Sequence, residues 1–333
     1  MQDPRTILCA PDSFKGTFRA PEVAAALVRG VEAAGLHGEA LPVADGGDGT
    51  MEALLLALGG ETAGAKVSDP LGREIDAGFA LLQDGDIALV EMAQASGLHL
   101  VAEDERDAEA ASTRGTGELI LAAVEAGAAE VLVAVGGSAT TDGGAGAIEA
   151  IEAAGGLGPV RLLVICDVRT PFERAAEVFG PQKGADAAAI ERLTKRLHAL
   201  AGTLPRDPRG LPLTGCAGGL SGGLYGTFGA KLVPGANFVL DALDFDARMR
   251  ASWAVITGEG RIDAQTLQGK IVGELTTRCR QAGVPSHAVV GRNELPPFEQ
   301  RLLDIEGLEE ATTLEEIAAA AERIVRVQLG DIT

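Results

Sequence analysis

The stretch Thr6-Ile-Leu-Cys-Ala-Pro-Asp-Ser-Phe-Lys-Gly16 decides the fold class of this chain. It begins with a short apolar and β-branched run, which predicts a strand that ends at the proline, and it continues as a polar loop. A helical pattern follows from Pro21 to Ala34, with proline in its first turn and Gly35 after its end. The order is therefore strand, loop and helix.

The same unit is repeated directly downstream. Residues Ala40–Val43 lead into Asp45-Gly-Gly-Asp-Gly-Thr50, and Met51–Leu58 is predicted to form a helix that Gly59 closes. Alternation of strands and helices is typical of an α/β fold with a parallel sheet, in which ligands bind at the carboxyl ends of the strands. We therefore expect the functional residues in the loops that follow the strands.

The middle of the chain has a different pattern. Glu74–Leu82 and Asp86–Met92 are predicted strands joined by Asp84-Gly85, which is a hairpin signal. Toward the C-terminus, short apolar strands at Trp253–Thr257 and His287–Val290 resume the opening pattern. This indicates one domain built from both chain ends, residues 1–66 and 237–333, with a second α/β domain at residues 67–236 inserted between them.

The charge of the chain limits its partners. Its 333 residues include 48 acidic and 28 basic side chains, which gives a formal net charge of −20. A surplus of carboxylates repels nucleic acid and anionic membranes, so we expect neither as a partner. The four cysteines are widely spaced, and neither a signal peptide nor a membrane span is recognised, so the expected location is the cytoplasm.

Five polar, glycine-rich loops follow the predicted strands and form the candidate site. They are Ala10–Gly16, Asp45–Thr50, Gly136–Gly144, Asp167 together with Phe179–Gly184, and Thr257–Lys270. Glycine lets a backbone approach a ligand closely, and carboxylates beside backbone N–H groups suit a magnesium nucleotide. A lysine near a helix N-terminus, such as Lys15, is a natural anion site. Asp167, at the carboxyl end of a strand, is placed to act as a general base, a metal ligand or a structural cap.

Common nucleotide and nucleophile motifs are missing from the sequence. It lacks a dinucleotide-binding G-x-G-x-x-G in the right context and a G-x-S-x-G elbow, and Gly269-Lys270 lacks the flanking residues of a P-loop. The four histidines lie outside the loops, which disfavours a histidine-based triad. Carboxylates, hydroxyls, glycines and lysines remain. This set is typical of phosphoryl transfer, where positioning and charge neutralisation dominate.

The loops, in this order, resemble those of the bacterial glycerate kinase family of type I, the glycerate 2-kinase-like type. The matching segments are Ala10–Gly16, Val43–Thr50, Gly136–Gly144, Val178–Gly184 and Ile256–Asp263. The resemblance implies ATP-dependent phosphorylation of D-glycerate, with the 2-hydroxyl favoured over the 3-hydroxyl. It also implies a Rossmann-like (flavodoxin-like) domain, a second domain with a restriction-endonuclease-like core, and an active site in the cleft between them.

Three features differ from the family pattern. The segment between Gly144 and Leu162 is shorter than in the family, and Thr141 stands where the family has asparagine. After Asp167, the sequence Arg169-Thr-Pro171 replaces an Asp-Asn-Pro of the family. These differences concern the surroundings of the expected substrate site.

The resemblance and the residue types together give a set of expected site residues, with ATP and Mg²⁺ as cofactors. Asp167 is expected to accept the proton of the substrate hydroxyl, while Lys15 and Lys183 neutralise the substrate carboxylate and the phosphates during catalysis. Substrate or phosphate contacts are expected from Asp12, Ser13, Gly136, Gly137, Ser138, Thr140, Asp142, Gly143, Gly144 and Lys270. The expected Mg²⁺ ligands are Asp45, Asp48, Glu259 and Asp263.

Three other functions stay open at this point. A dehydrogenase of a small hydroxy acid would share the parallel sheet, but it should carry a dinucleotide fingerprint. A kinase of another small sugar acid would use the same loops. A non-catalytic binding module would not need polar loops from five separate segments. The expected small-molecule partners are D-glycerate and ATP, and the chain is expected to be a monomer or a homodimer.

Overall fold

The computed structural model describes residues 6–264, 266–268 and 270–328, which form two compact units. The first unit contains the chain up to Asp45 and from Ala236 onward, and the second spans Gly46–Gly235. The strands are β1 (Thr6–Pro11), β2 (His37–Ala40), β3 (Glu61–Ser68), β4 (Glu74–Leu82), β5 (Ile87–Glu91), β6 (Glu130–Ala134), β7 (Arg161–Cys166), β8 (Lys231–Pro234), β9 (Ala254–Glu259), β10 (Ser286–Val290) and β11 (Gly307–Glu310). The α-helices are α1 (Ala20–Ala33), α2 (Thr50–Leu58), α3 (Ala93–Ser96), α4 (Arg114–Glu125), α5 (Ala145–Ala153), α6 (Ala175–Phe179), α7 (Ala187–Ala201), α8 (Leu220–Phe228), α9 (Gly235–Ala242), α10 (Phe245–Ala251), α11 (Ile271–Ala282), α12 (Pro297–Gln300) and α13 (Leu314–Gln328).

The first unit contains a five-stranded sheet with the strand order β11-β10-β9-β1-β2. All neighbouring strands are parallel. In the unit's own chain order this is the arrangement 2-1-3-4-5, which is the flavodoxin-like doubly wound order. The predicted α/β class with a parallel sheet is therefore confirmed. In such sheets the ligand site lies where the strand order reverses, here between β1 and β9.

The core of the first unit explains why its opening segment folds as it does. All six residues of β1 are buried, as expected for a parallel strand that is covered on both faces. Helix α1 has proline in its first turn, and it buries Val23, Leu27 and Val31, which recur every four residues along one face. These side chains pack with Ile7 and Cys9 of β1 and with the buried face of α13.

The second unit contains a six-stranded sheet with the order β3-β4-β5-β6-β7-β8. Strands β3, β4 and β5 pair antiparallel, and β5 to β8 pair parallel. The predicted hairpin between β4 and β5 is present, and Asp84 in its turn has a positive φ of 57°. Because β5, β6 and β7 are parallel, their carboxyl ends lie at the same edge of the sheet. The short segment between Gly144 and Leu162 forms α5, and residues 154–160 connect it to β7.

The first boundary between the units falls between Asp45 and Gly46 rather than after residue 66. Strand β3 pairs with β4 along its whole length, and α2 packs on β4 and β5, so residues 46–66 contribute to the second sheet. The second boundary, between Gly235 and Ala236, is adjacent to the predicted position. No helix in the described part of the chain is long and apolar enough to cross a membrane.

Candidate active site

The first group of predicted residues lies in the first unit, where the loops after β1 and β9 meet at the reversal of strand order. A cavity of about 440 Å³ opens there. Six predicted residues line it, namely Asp12, Ser13, Lys15, Asp45, Glu259 and Lys270. The two loops come close together, because a Cβ atom on Gly260 would lie 3.1 Å from the Cα atom of Phe14. The fold thus gathers residues from both chain ends at one position.

Three of the lining residues are buried acids: Asp12, Asp45 and Glu259. Burial raises the pKa of Asp12 above its usual value, and the charge of Asp45 raises it further. Burial also raises the pKa of Glu259 to about 7, although the Thr266 hydroxyl, which donates to Oε1 at 2.8 Å, opposes this shift. Both shifts mean that these buried surroundings disfavour the ionised forms of the two carboxyl groups. A bound cation would stabilise the ionised forms.

Two lysines at the same cavity supply positive charge near the acids. The charge of Lys15 lowers the pKa of Asp12, and the charge of Lys270 lowers the pKa of Glu259. Lys15 is exposed and Lys270 is half-buried. A cavity that combines carboxylates with lysines suits an anion that carries its own cation, such as a magnesium-bound phosphate chain.

The donor set can be compared with what Mg²⁺ requires. Within residues 6–264, 266–268 and 270–328, no group of three or more His, Cys, Asp or Glu side chains is arranged to hold a metal ion. Nucleotide-bound Mg²⁺ usually takes one or two protein carboxylates and completes its shell with phosphate oxygens and water. Asp45 and Glu259 fit that requirement. Asp263, also predicted as a ligand, forms an ion pair with Arg261, with Oδ2 and Nε 3.3 Å apart.

The second group of predicted residues lies in the second unit, at the shared carboxyl ends of β5, β6 and β7. The Gly136–Gly144 loop follows β6, and Asp167 follows β7. The loop approaches the Gly46–Thr50 turn so closely that a Cβ atom on Gly136 would lie 2.3 Å from the Cα atom of Gly47. Glycine is required there because any side chain would collide with backbone.

Asp48 and Gly137 meet at the same contact. Gly137 has a φ of +70°, and a Cβ atom on it would lie 2.6 Å from Oδ1 of Asp48. Asp48 therefore belongs to the surroundings of the glycine-rich loop in the second unit, whereas the other three predicted metal ligands belong to the first unit. Its side chain is exposed.

The side chain of Asp142, which was predicted to contact substrate, is hydrogen-bonded within the protein. Its buried carboxylate accepts hydrogen bonds from the N–H and the hydroxyl of Thr113 at 2.9 and 2.8 Å. It also accepts bonds from the N–H groups of Gly144 and Gly146 at 3.0 and 3.1 Å. Four donors satisfy a carboxylate, so Asp142 fixes the end of the loop and the start of α5.

Lys183 lies at the end of the short turn Pro181–Lys183, and its side chain is only 2% exposed. Its Nζ atom donates to Ser138 Oγ at 2.7 Å and to the carbonyl oxygen of Thr140 at 2.6 Å. Burial lowers the pKa of Lys183 to about 7, and the charges of Asp142 and Asp167 oppose this shift. The predicted base and the predicted lysine are therefore electrostatically coupled within one unit.

Sequence reasoning missed Glu91, the last residue of β5. Its side chain is buried, and Oε1 accepts the N–H of Met51 at 2.8 Å, near the start of α2. Burial raises the pKa of Glu91, and the charge of Asp48 adds to this effect. Glu91 thus anchors the turn that carries Asp48. The available signal was a carboxylate at the carboxyl end of a predicted strand. The first cavity also gains Arg292 and Thr312 from loops that the sequence did not single out.

Comparisons with known proteins agree on one family. The sequence matches the family model described as "Glycerate kinase family" over residues 7–157 and 152–329. A glycerate kinase of Bacillus subtilis is 39% identical over 325 residues, which cover 86% of this chain and 84% of that protein. The glycerate 2-kinase of Escherichia coli is 38% identical over 302 residues, which cover 80% of this chain and 79% of that protein.

A solved structure has the same fold. A crystal structure of a protein from Salmonella typhimurium, provisionally assigned as glycerate kinase 2, superposes with a TM-score of 0.80. The two chains are 33% identical, and the match covers 98% of this chain and 99% of the other. The similarity therefore extends over both units.

Proposed function

Since the chain belongs to the glycerate kinase family, we propose that it transfers the γ-phosphoryl group of ATP to D-glycerate in a Mg²⁺-dependent reaction. As a member of this family, it is a phosphotransferase. The name of the Escherichia coli relative, glycerate 2-kinase, supports 2-phosphoglycerate as the product.

The observation that carries this proposal is the set of buried acids beside two lysines at the first cavity. Burial is the main cause of the raised pKa values of Asp12 and Glu259 there, and the charge of Asp45 raises both further. Lys15 and Lys270 supply positive charge at the same cavity. A magnesium-bound triphosphate satisfies both requirements, because its metal neutralises carboxylates and its oxygens accept from lysines.

We assign the Mg²⁺ contacts to Asp45 and Glu259, and the phosphate contacts to Lys15 and Lys270. When bound, Mg²⁺ neutralises the charge that develops on the phosphate oxygens. The lysines orient the phosphate chain by hydrogen bonds and stabilise the same charge. The Gly136–Gly144 loop is proposed to orient the acceptor.

Asp167 is proposed as the base. The hydroxyl oxygen of glycerate attacks the γ-phosphorus, the bond from that phosphorus to the β,γ-bridging oxygen breaks, and ADP leaves. The proton of the hydroxyl moves to the Asp167 carboxylate. Asp167 lies at a strand end, close enough to Lys183 for its charge to raise the pKa of that lysine, and a carboxylate in such a position can accept a proton.

The proposal is tested by incubating the protein with MgATP and D-glycerate and following ADP release. We expect turnover that requires both substrates, stops with EDTA and returns with added Mg²⁺. L-glycerate and longer sugar acids are the acceptor controls. Faster turnover of another sugar acid would reassign the substrate, and NADH formation from NAD and glycerate without ADP release would overturn the kinase proposal.

The position of phosphorylation needs a separate measurement. Phosphorus NMR of the product distinguishes 2-phosphoglycerate from 3-phosphoglycerate, and we expect the former. That catalysis requires residues of both units stays a prediction. Glu259→Gln in the first unit and Asp167→Asn in the second should each reduce turnover by at least about 100-fold, since each removes a group in contact with the reacting species.

A further inference from the structure

The surroundings of Lys183, the buried lysine of the second unit, differ from those of an anion-binding lysine. Lys183 is among the largest fully buried side chains, and two of its three protons point to neutral acceptors, Ser138 Oγ and the Thr140 carbonyl oxygen. Both acceptors belong to the Gly136–Gly144 loop. The charges of Asp142 and Asp167 also act on Lys183, but the hydrogen bonds of its ammonium group go to these two neutral acceptors and not to acidic oxygens, as they would for a counter-charge.

Other hydrogen bonds fix the two ends of the Gly136–Gly144 loop. At its beginning, the loop is tied by backbone bonds from Leu98 N–H to the Gly137 carbonyl oxygen and from Ala139 N–H to the Ser96 carbonyl oxygen, 2.8 and 2.9 Å long. At its end, Asp142 accepts four hydrogen bonds. Lys183 contacts Ser138, which lies within the first anchor, and Thr140, which lies between the two anchors.

The hydroxyls in the middle of the loop do not hold it in place. In the part of the chain that the structure describes, Oγ1 of Thr140 and Oγ1 of Thr141 are buried without a hydrogen-bond partner. Four of the nine residues in the loop are glycines, which lose the most conformational freedom when they are ordered. The two bonds from Lys183 therefore oppose a large entropic cost of ordering.

We propose that Lys183 is a positioning residue, which orders the Gly136–Gly144 loop through Ser138 and Thr140 before substrate binds. This inference rests on the proposed function in one respect, namely that the loop orients the acceptor. It differs from the role expected from the sequence, in which Lys183 contacts the substrate carboxylate or a phosphate directly. The two roles predict different behaviour of the loop when no substrate is present.

The test compares Lys183→Met, which removes the donors, with Lys183→Gln, which keeps a shorter neutral donor. Hydrogen–deuterium exchange of peptides that contain residues 136–144 is measured without substrates. We expect exchange to rise about 10-fold or more in Lys183→Met, and less in Lys183→Gln. Lys195→Met is the matched control, because Lys195 is an exposed lysine on α7 that pairs with Glu191.

Steady-state kinetics provides the second readout. Lys183→Met should lower kcat about 10- to 100-fold, with partial recovery in Lys183→Gln. Ser138→Ala is a milder change and should raise loop exchange less than Lys183→Met. The double variant Ser138→Ala/Lys183→Met should have no faster loop exchange and no lower kcat than Lys183→Met alone. Ser138→Ala also keeps the inference testable if Lys183→Met does not fold.

Two outcomes would overturn the positioning role. The first is unchanged loop exchange in Lys183→Met together with a large rise in KM, as expected for direct contact with an anion. The second is unchanged loop exchange in Ser138→Ala, together with losses of kcat that add up in the double variant. If the wild-type protein does not phosphorylate glycerate, the proposed function fails, whereas the exchange experiment still decides how Lys183 acts on the loop.

Discussion

Thr113 donates two hydrogen bonds to the same carboxylate oxygen of Asp142, one from its N–H at 2.9 Å and one from its hydroxyl at 2.8 Å. The hydroxyl oxygen also accepts the N–H of Ala147 at 3.0 Å. The start of α4 and the start of α5 are thus joined by one acid and one hydroxyl, both fully enclosed. The glycine-rich loop ends at this Thr113–Asp142 contact.

The Thr113–Asp142 contact predicts a large effect on the stability of the second unit. Asp142→Ala leaves four buried donors without an acceptor and should lower the free energy of unfolding by about 3 kcal/mol or more. Thr113→Val should cost about 1–2 kcal/mol, because it removes one hydroxyl. Urea unfolding followed by circular dichroism measures both changes. The exposed Thr62→Val is the control, and equal midpoints for Thr62→Val and Thr113→Val would refute this role of the hydroxyl.

The assignment of Asp167 predicts an effect on the rate of the reaction. Asp167→Asn keeps the shape of the side chain but cannot accept the substrate proton, so kcat should fall about 100- to 10,000-fold while KM changes little. Asp84→Asn, in the exposed β4–β5 turn, is a control that should retain wild-type turnover. Near wild-type turnover of Asp167→Asn would remove Asp167 as the base.

The contact between two glycines predicts a steric effect. Gly136→Ala would bring Cβ to 2.3 Å from the Cα atom of Gly47, so the loop must move, and kcat/KM should fall at least about 10-fold. Gly202→Ala is the matched control, because its φ is −71° and the nearest atom to its Cβ, apart from those of its two chain neighbours, would be 3.5 Å away. That control should be neutral or slightly stabilising. Similar activity of the two variants would contradict the close approach.

A buried histidine predicts a pH-dependent contribution to the stability of the first unit. His287 on β10 is fully buried, and among the described residues neither ring nitrogen has a hydrogen-bond partner. Burial lowers the pKa of His287 from 6.5 to about 4. Between these values His287 binds a proton in the unfolded chain but not in the folded chain, so its contribution to stability falls by up to about 3 kcal/mol as the pH drops from about 6.5 toward 4. The raised pKa values of Asp12 and Glu259 act in the opposite direction.

The fluorescence of Trp253, the one tryptophan of the chain, reports unfolding of the first unit at each pH. Relative to the wild type, His287→Leu should become more stable as the pH drops from 6.5 to 4, because the group that takes up a proton on unfolding is gone. The exposed His37→Gln should keep the pH dependence of the wild type. A stability difference between His287→Leu and the wild type that does not change over this pH range would show that His287 does not contribute to the pH dependence.

Local sequence patterns were sufficient for the elements and for the class of fold. The run at Thr6 and the helix after Pro21 were predicted correctly, because an apolar strand, a proline and a following glycine act within a few residues of one another. The hairpin at Asp84 was predicted for the same reason. The family was recognised from contiguous loops, whose residue types the sequence displays directly.

The tertiary structure decided what depends on residues far apart in the chain. The unit boundary at Asp45 follows from the pairing of β3 with β4, and the role of Glu91 follows from its bond to Met51. The two bonds from Lys183 to a loop more than forty residues away could not be read from either segment alone. Desolvation, which shifts the pKa values of the site, depends on every segment that packs around a group. The sequence by itself therefore determined which residues are available for chemistry, and only the packing of distant segments decided which of them are buried, paired or held in position.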